Sequence, residues 1–211
     1  MNDVSSRPSA RLWYPAVLAM LAAIWLAMLL LGTGRLDAQV YEMLYAGGSP
    51  LLVRAARLVT SVGDPTVMVV SGLLVAAFLA LRKRLRLAVA LSLVMLGGRA
   101  LAELQKQEVA RVRPALEPHL VHATTFSFPS GHSANSMIVL LALALALAPQ
   151  GQWRAPLVAA AVVVSMGIGV SRVMLGVHWP SDVIGGWVYG SAWVLATLRP
   201  AERLLAVPFK H

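Results

Sequence analysis

Cysteine is absent from all 211 residues, which removes disulfides and thiolate metal sites and leaves the redox compartment unreadable. Charge is scarce too: Asp, Glu, Lys and Arg make up 13% of the chain, against roughly a quarter in soluble domains. Acidic residues are the scarcer sign, nine against eighteen basic, giving a net charge of +9 and a pI near 11.1. No repeat or low-complexity tail breaks the chain, so residues 1–211 read as one domain. What fills it is apolar: 58% hydrophobic residues and a mean hydropathy of +0.72. That composition excludes an ordinary soluble domain and implies an all-α, polytopic membrane protein. The basic excess argues little for nucleic acid, because the basic residues fall between apolar runs instead of along one face.

Apolar runs occupy residues 13–31, 65–81, 133–148, 155–171 and 183–198, and a sixth, 87–104, is broken by Arg99 and Glu103. Six spans are expected. Several runs are shorter than the roughly 17 to 25 residues of a full crossing and need flanking residues to complete the ~30 Å path. The polar N-terminus, Met1 to Ala10, precedes a first run without a small-residue cleavage site, which reads as an uncleaved span. Between spans one and two, residues 38–62 contain Ser49-Pro50 as a helix start, with Arg54 and Arg57 on one face. A short amphipathic helix on the outer surface is the expectation there, with a plain loop as the alternative.

Orientation follows from counting basic residues in alternate loops. One side receives Arg7, Arg11, Arg82, Lys83, Arg84, Arg86, Arg154, Arg199, Arg203 and Lys210; the other receives Arg35, Arg54, Arg57, Lys106, Arg111 and Arg113. Ten against six places both termini in the cytoplasm.

Three polar fragments stand out. Lys106 is followed by Arg113-Pro114; Pro129-Ser130-Gly131-His132 opens the fourth span; Ser171-Arg172 ends the fifth, ahead of His178 and Asp182. Two crossings separate the first pair from the third, so all face the same outer side and can form one site. Together they supply three fixed cations, two histidines and a carboxylate, the set that phosphoester chemistry needs. Ser130, Gly131 and His132 lie where a helix N-terminus offers free N–H groups to an anion. Gly131 allows close backbone approach. Asp182, four residues after His178, can orient one ring nitrogen and leave the other to attack phosphorus. His132 is then the general acid, and Lys106, Arg113 and Arg172 hold the non-bridging oxygens.

Other readings of the same residues exist. Lys106 and Arg113 can be headgroup anchors, Ser130 a helix cap, and His178 with Asp182 a structural hydrogen bond. Two histidines and an aspartate can also ligate a metal, but three converging cations favour a bound anion, so neither metal nor cofactor is expected. His119 and His122, in the loop before Pro129, read as loop residues, with headgroup contact the alternative. Arg99 and Glu103, one helical turn apart, are placed to pair within the third span.

The three fragments, in order and spacing, resemble the signature of the type 2 phosphatidic acid phosphatase superfamily. They cover residues 106–182, about a third of the chain, with no departure inside the motifs. The vanadate-dependent haloperoxidases share the signature on soluble helical folds, whereas six spans match the membrane branch. The resemblance implies that His178 forms a phosphohistidine, that His132 protonates the leaving group, that Asp182 supports His178, and that Lys106, Arg113, Ser130, Gly131, His132 and Arg172 hold phosphate.

The expectation is a metal-independent lipid phosphatase of the bacterial inner membrane, acting on a phosphorylated lipid at the outward face. Undecaprenyl diphosphate is the leading substrate, with phosphatidylglycerophosphate or phosphatidate the alternative. A lipid phosphotransferase, or a lipid or anion transporter whose cations line a path, would use the same residues.

Overall fold

The computed structural model describes residues 9–148 and 151–206; Arg7 and Lys210, counted above for orientation, lie outside them. The described residues form helices joined by turns and loops: α1 (Ser9–Leu31), α2 (Arg35–Leu44), α3 (Pro50–Val62), α4 (Pro65–Leu81), α5 (Leu85–Val109), α6 (Gly131–Leu147), α7 (Arg154–Met174) and α8 (Pro180–Ala206). The six apolar runs fall in α1, α4, α5, α6, α7 and α8.

By length and hydropathy, Trp13–Leu31, α5 and α7 can each cross a membrane alone. The α3–α4 pair passes the same test jointly, bent by 40° at the break between Val62 and Pro65. Asp64 makes that break: its carboxylate accepts from the Thr66 and Val67 N–H groups and starts α4 afresh, with Pro65 at the first helical position. Segment 38–62, expected to hold one short helix, holds the end of α2 and all of α3. Ser49 caps α3 by accepting from the Leu52 N–H, with Pro50 in its first turn, as the sequence indicated.

α6 is the central helix, packed by α4, α5, α7 and α8 and buried along most of its length. Its apolar side meets Met68 of α4, Leu91, Val94 and Met95 of α5 and Val194 of α8. Small residues set its distance from α8. A Cβ at Gly186 would lie 2.8 Å from the Ser130 carbonyl oxygen, and one at Gly190 would lie 2.9 Å from that of Ala134, so only glycine at these two positions lets the helices touch. The closeness carries the site. It sets the entry of α6 against the first turns of α8, where the Ser130 N–H donates to the Asp182 carbonyl at 2.9 Å.

Candidate active site

The residues singled out by the sequence meet where the C-terminal ends of α5 and α7 adjoin the N-terminal ends of α6 and α8. α5 ends at Ala110, which has left-handed backbone angles (φ 48°, ψ 34°) and donates to the Lys106 carbonyl at 3.0 Å. The turn returns Arg111 and Arg113 over the helix ends. At the far side Gly176, with φ +78°, turns the chain out of α7 so that His178 faces inward; a side chain is strained at that angle.

A cleft of about 510 Å³ opens between these elements. Lys106, Arg113, Gly131, His132, Arg172 and His178 all line it, so six of the eight predicted residues share one cavity. The other two lie behind it. Ser130 is fully buried and caps α6, its hydroxyl accepting from the Ser133 N–H at 3.5 Å and the Ser133 hydroxyl at 3.1 Å. Asp182 is fully buried behind His178, whose Nδ1 lies 3.4 Å from its Oδ2.

The carboxylate is held from several directions. Arg111 Nη1 donates to Oδ1 at 3.0 Å, the Trp179 N–H donates to Oδ2 at 2.8 Å, and the Ser127 hydroxyl donates to Oδ2 while lying 3.3 Å from His178 Nδ1. On the other edge of the ring, Arg113 Nη1 is 3.1 Å from His178 Nε2. A guanidinium can only donate, so Nε2 meets it with its lone pair and the ring proton is assigned to Nδ1, facing the carboxylate. Burial pushes His178 well below the ordinary histidine range, and the charges of Arg113, Arg172 and Lys106 act in the same direction. The imidazole is neutral at pH 7. Burial also lowers Arg113, opposed by Asp182. Arg113 is further fixed by the carbonyls of Thr125, Phe126 and Val177, and Arg172 donates to the buried Thr60 hydroxyl of α3 at 2.8 Å.

The structure adds residues that the sequence reading passed over. Arg111 was counted as a loop charge, yet it donates to Asp182, to the Ser181 hydroxyl at 3.1 Å, and to the Met28 and Leu29 carbonyls at 3.0 and 2.7 Å. Its guanidinium also lies 4.3 Å over the Phe128 ring. Asp37 of α2 accepts from the Ser181 N–H at 2.8 Å and from its hydroxyl, holding the start of α8. His122 lines the cleft, whereas His119 Nε2 bonds the Pro114 carbonyl at 2.7 Å within its own loop. Arg99 and Glu103 also line the cleft but form no ion pair with each other among the described residues.

This arrangement can bind a tetrahedral dianion against three cations and the N-terminus of α6, and present to it an oriented, neutral imidazole. Known proteins resemble parts of this chain. Phosphatidylglycerophosphatase B of Bacillus subtilis is 40% identical over 96 residues, 44% of this chain and 47% of that one. Lipid A 1-phosphatase of Rhizobium etli is 38% identical over 106 residues, 46% and 43%, and undecaprenyl-diphosphatase of Sulfolobus acidocaldarius 36% over 102, 44% and 45%. The chain spans about half the length of the curated relatives it matches. The crystal structure of a transmembrane PAP2-type phosphatidylglycerolphosphate phosphatase from Bacillus subtilis superposes with a TM-score of 0.80 at 26% identity, covering 92% of this chain and 98% of that one. Residues 87–204, more than half of the chain and all three of the motif fragments, match the family model of the PAP2 superfamily, and the chain belongs to that superfamily.

Proposed function

We propose that the protein is an integral-membrane lipid phosphatase that works without a metal, through a phosphohistidine at His178. One observation carries the reading most: the His178 Nε2 lone pair opens into a cleft lined by Lys106, Arg113 and Arg172, while Nδ1 is backed by Asp182. A nucleophile aimed at an anion site needs that arrangement. An incoming phosphate displaces the Arg113 contact from Nε2 and takes the freed N–H donors for its own oxygens. Nε2 then bonds phosphorus, the bond to the leaving oxygen breaks, and His132 gives that oxygen a proton. In the second step His132 takes a proton from water as the water oxygen bonds phosphorus and the N–P bond breaks, which releases orthophosphate and restores both the neutral His178 imidazole and the protonated His132.

Six spans, with α2 and α3 at the outer surface and both termini cytoplasmic, complete the proposal. The cleft then faces the periplasm or exterior of a bacterial inner membrane, and the apolar tail of the substrate stays in the bilayer. The matched relatives are named for different lipid phosphates, and a diphosphate headgroup, with undecaprenyl diphosphate foremost, is our choice among them. The test is orthophosphate release by purified protein in detergent with EDTA, using undecaprenyl diphosphate, phosphatidylglycerophosphate and phosphatidate separately. Release that persists in EDTA and is lost in His178→Ala is expected. Release abolished by EDTA, or retained in the variant, overturns the mechanism.

A further inference from the structure

The cleft holds polar groups that binding a single phosphate does not use. Arg99 and Asn135 both line it, and among the described residues the Arg99 Nη1 and the Asn135 Oδ1 are buried without a hydrogen-bond partner. The Asn135 amide is oriented by its Nδ2, which donates to the Gly131 carbonyl at 2.8 Å; Oδ1 is therefore the atom left over. A guanidinium nitrogen in an apolar helix is costly without an acceptor, and a buried amide oxygen without a donor.

Their positions say which part of a substrate they meet. Asn135 follows His132 by three residues on α6, so the two are neighbours on one helix face. Arg99 precedes Lys106 by seven residues on α5, on the same face and about 10 Å further along the axis. In the mechanism above Lys106, Arg113, Arg172 and His178 take the phosphoryl group that is transferred, and the leaving oxygen departs toward His132, which Asn135 neighbours on α6 and with which Arg99 shares the cleft. We propose that Arg99 and Asn135 form a second subsite, which holds the lipid-side phosphate of a diphosphate substrate as the leaving group. The inference rests on the phosphatase reading above and names the headgroup that this site selects.

The chemistry of the pair matches that group. As His178 Nε2 bonds the terminal phosphorus, the bridging P–O bond breaks, its electron pair goes to the departing lipid phosphate, and the proton of His132 goes with it. The product is a lipid monophosphate monoanion, with one negative charge shared by two non-bridging oxygens and one O–H. The oxygens accept from Arg99, and the O–H donates to Asn135 Oδ1, so both unpartnered atoms are satisfied at once. A simple ester leaves as an alcohol and offers Arg99 no anionic oxygen.

The test compares two lipids with the same tails, phosphatidate and diacylglycerol diphosphate, as substrates for wild type, Arg99→Gln and Arg99→Lys in detergent. The readout is the ratio of kcat/KM for diphosphate over monophosphate, in which any loss of folded protein cancels. Arg99→Gln is expected to lower that ratio about tenfold or more, the effect of one lost charge-assisted hydrogen bond. Arg99→Lys, which keeps the charge, recovers part of it. A ratio unchanged in Arg99→Gln while both lipids are still hydrolysed refutes the subsite and leaves the phosphatase reading standing. Failure of the wild type to release phosphate from these two lipids and from undecaprenyl diphosphate refutes the phosphatase reading, and the subsite falls with it.

Discussion

Replacing Arg111 by methionine keeps most of the side-chain volume and removes five donors from a crowded place. Its guanidinium and the Asp182 carboxylate are 9% and 0% exposed and 3.0 Å apart, and removing one partner from a buried pair costs about 3–5 kcal/mol, because the other charge is stranded. The two carbonyls near the end of α1 lose their donor as well, at roughly 1 kcal/mol each where water does not replace it. The substitution is therefore expected to lower the temperature of half-inactivation clearly. It also unseats the carboxylate that holds the Nδ1 proton of His178, so the chemical step suffers more than binding. We expect kcat to fall by about 10²-fold or more with KM little changed. Arg111→Lys restores the charge but has no planar fork to reach Asp182, Ser181 and two carbonyls together, and should recover only part of either property. The assays are steady-state phosphate release and residual activity after heating. Wild-type kcat and heat resistance in Arg111→Met would refute the argument that Arg111 fixes Asp182.

The pH dependence follows from the direction in which His178 is shifted. Because the nucleophile must be neutral and its proton affinity is lowered by burial and by the cations around it, the acid-side decline of kcat/KM should lie well below pH 6.5. A decline centred near the ordinary histidine value would contradict this environment. Gly131→Ala tests the phosphate cradle: an added Cβ would lie 3.2 Å from Lys106 Nζ, so the ammonium has to shift by a few tenths of an ångström at the anion site. A several-fold rise in KM, with weaker inhibition by orthophosphate, is expected; unchanged KM and inhibition would mean that Lys106 does not hold phosphate.

Local signals were legible and distant pairings were not. Pro50 and Pro180 start α3 and α8 at the positions their chemistry favours, and the apolar runs each fall within one helix. The fragment spacing brought six of eight site residues to one cleft, because each fragment sits at a helix end and the bundle collects those ends. Arg111 was invisible as a site residue because its partners are as far as 83 residues away in sequence, and nothing in its own loop distinguishes it from a headgroup anchor. Ser127 is a similar case: its hydroxyl meets Asp182 across 55 residues. Arg99 and Glu103 have the spacing of a helical ion pair, but both line the cleft and stay apart, so local spacing misled where a shared cavity decided. Segment 38–62 holds the end of α2 besides α3, because α2 starts earlier, at Arg35, and is held by Asp37 and Tyr41 in contacts with the α7–α8 region, which a reading of amphipathicity alone does not contain.

The central claim is covalent, and the direct measurement is to trap the intermediate. Wild-type protein is mixed with a lipid diphosphate radiolabelled in its terminal phosphate, quenched in alkali within the first turnover, digested and mapped. The account predicts alkali-stable, acid-labile label on the peptide containing His178, and none in His178→Ala. Label on another residue, or turnover that continues in His178→Ala, would contradict it.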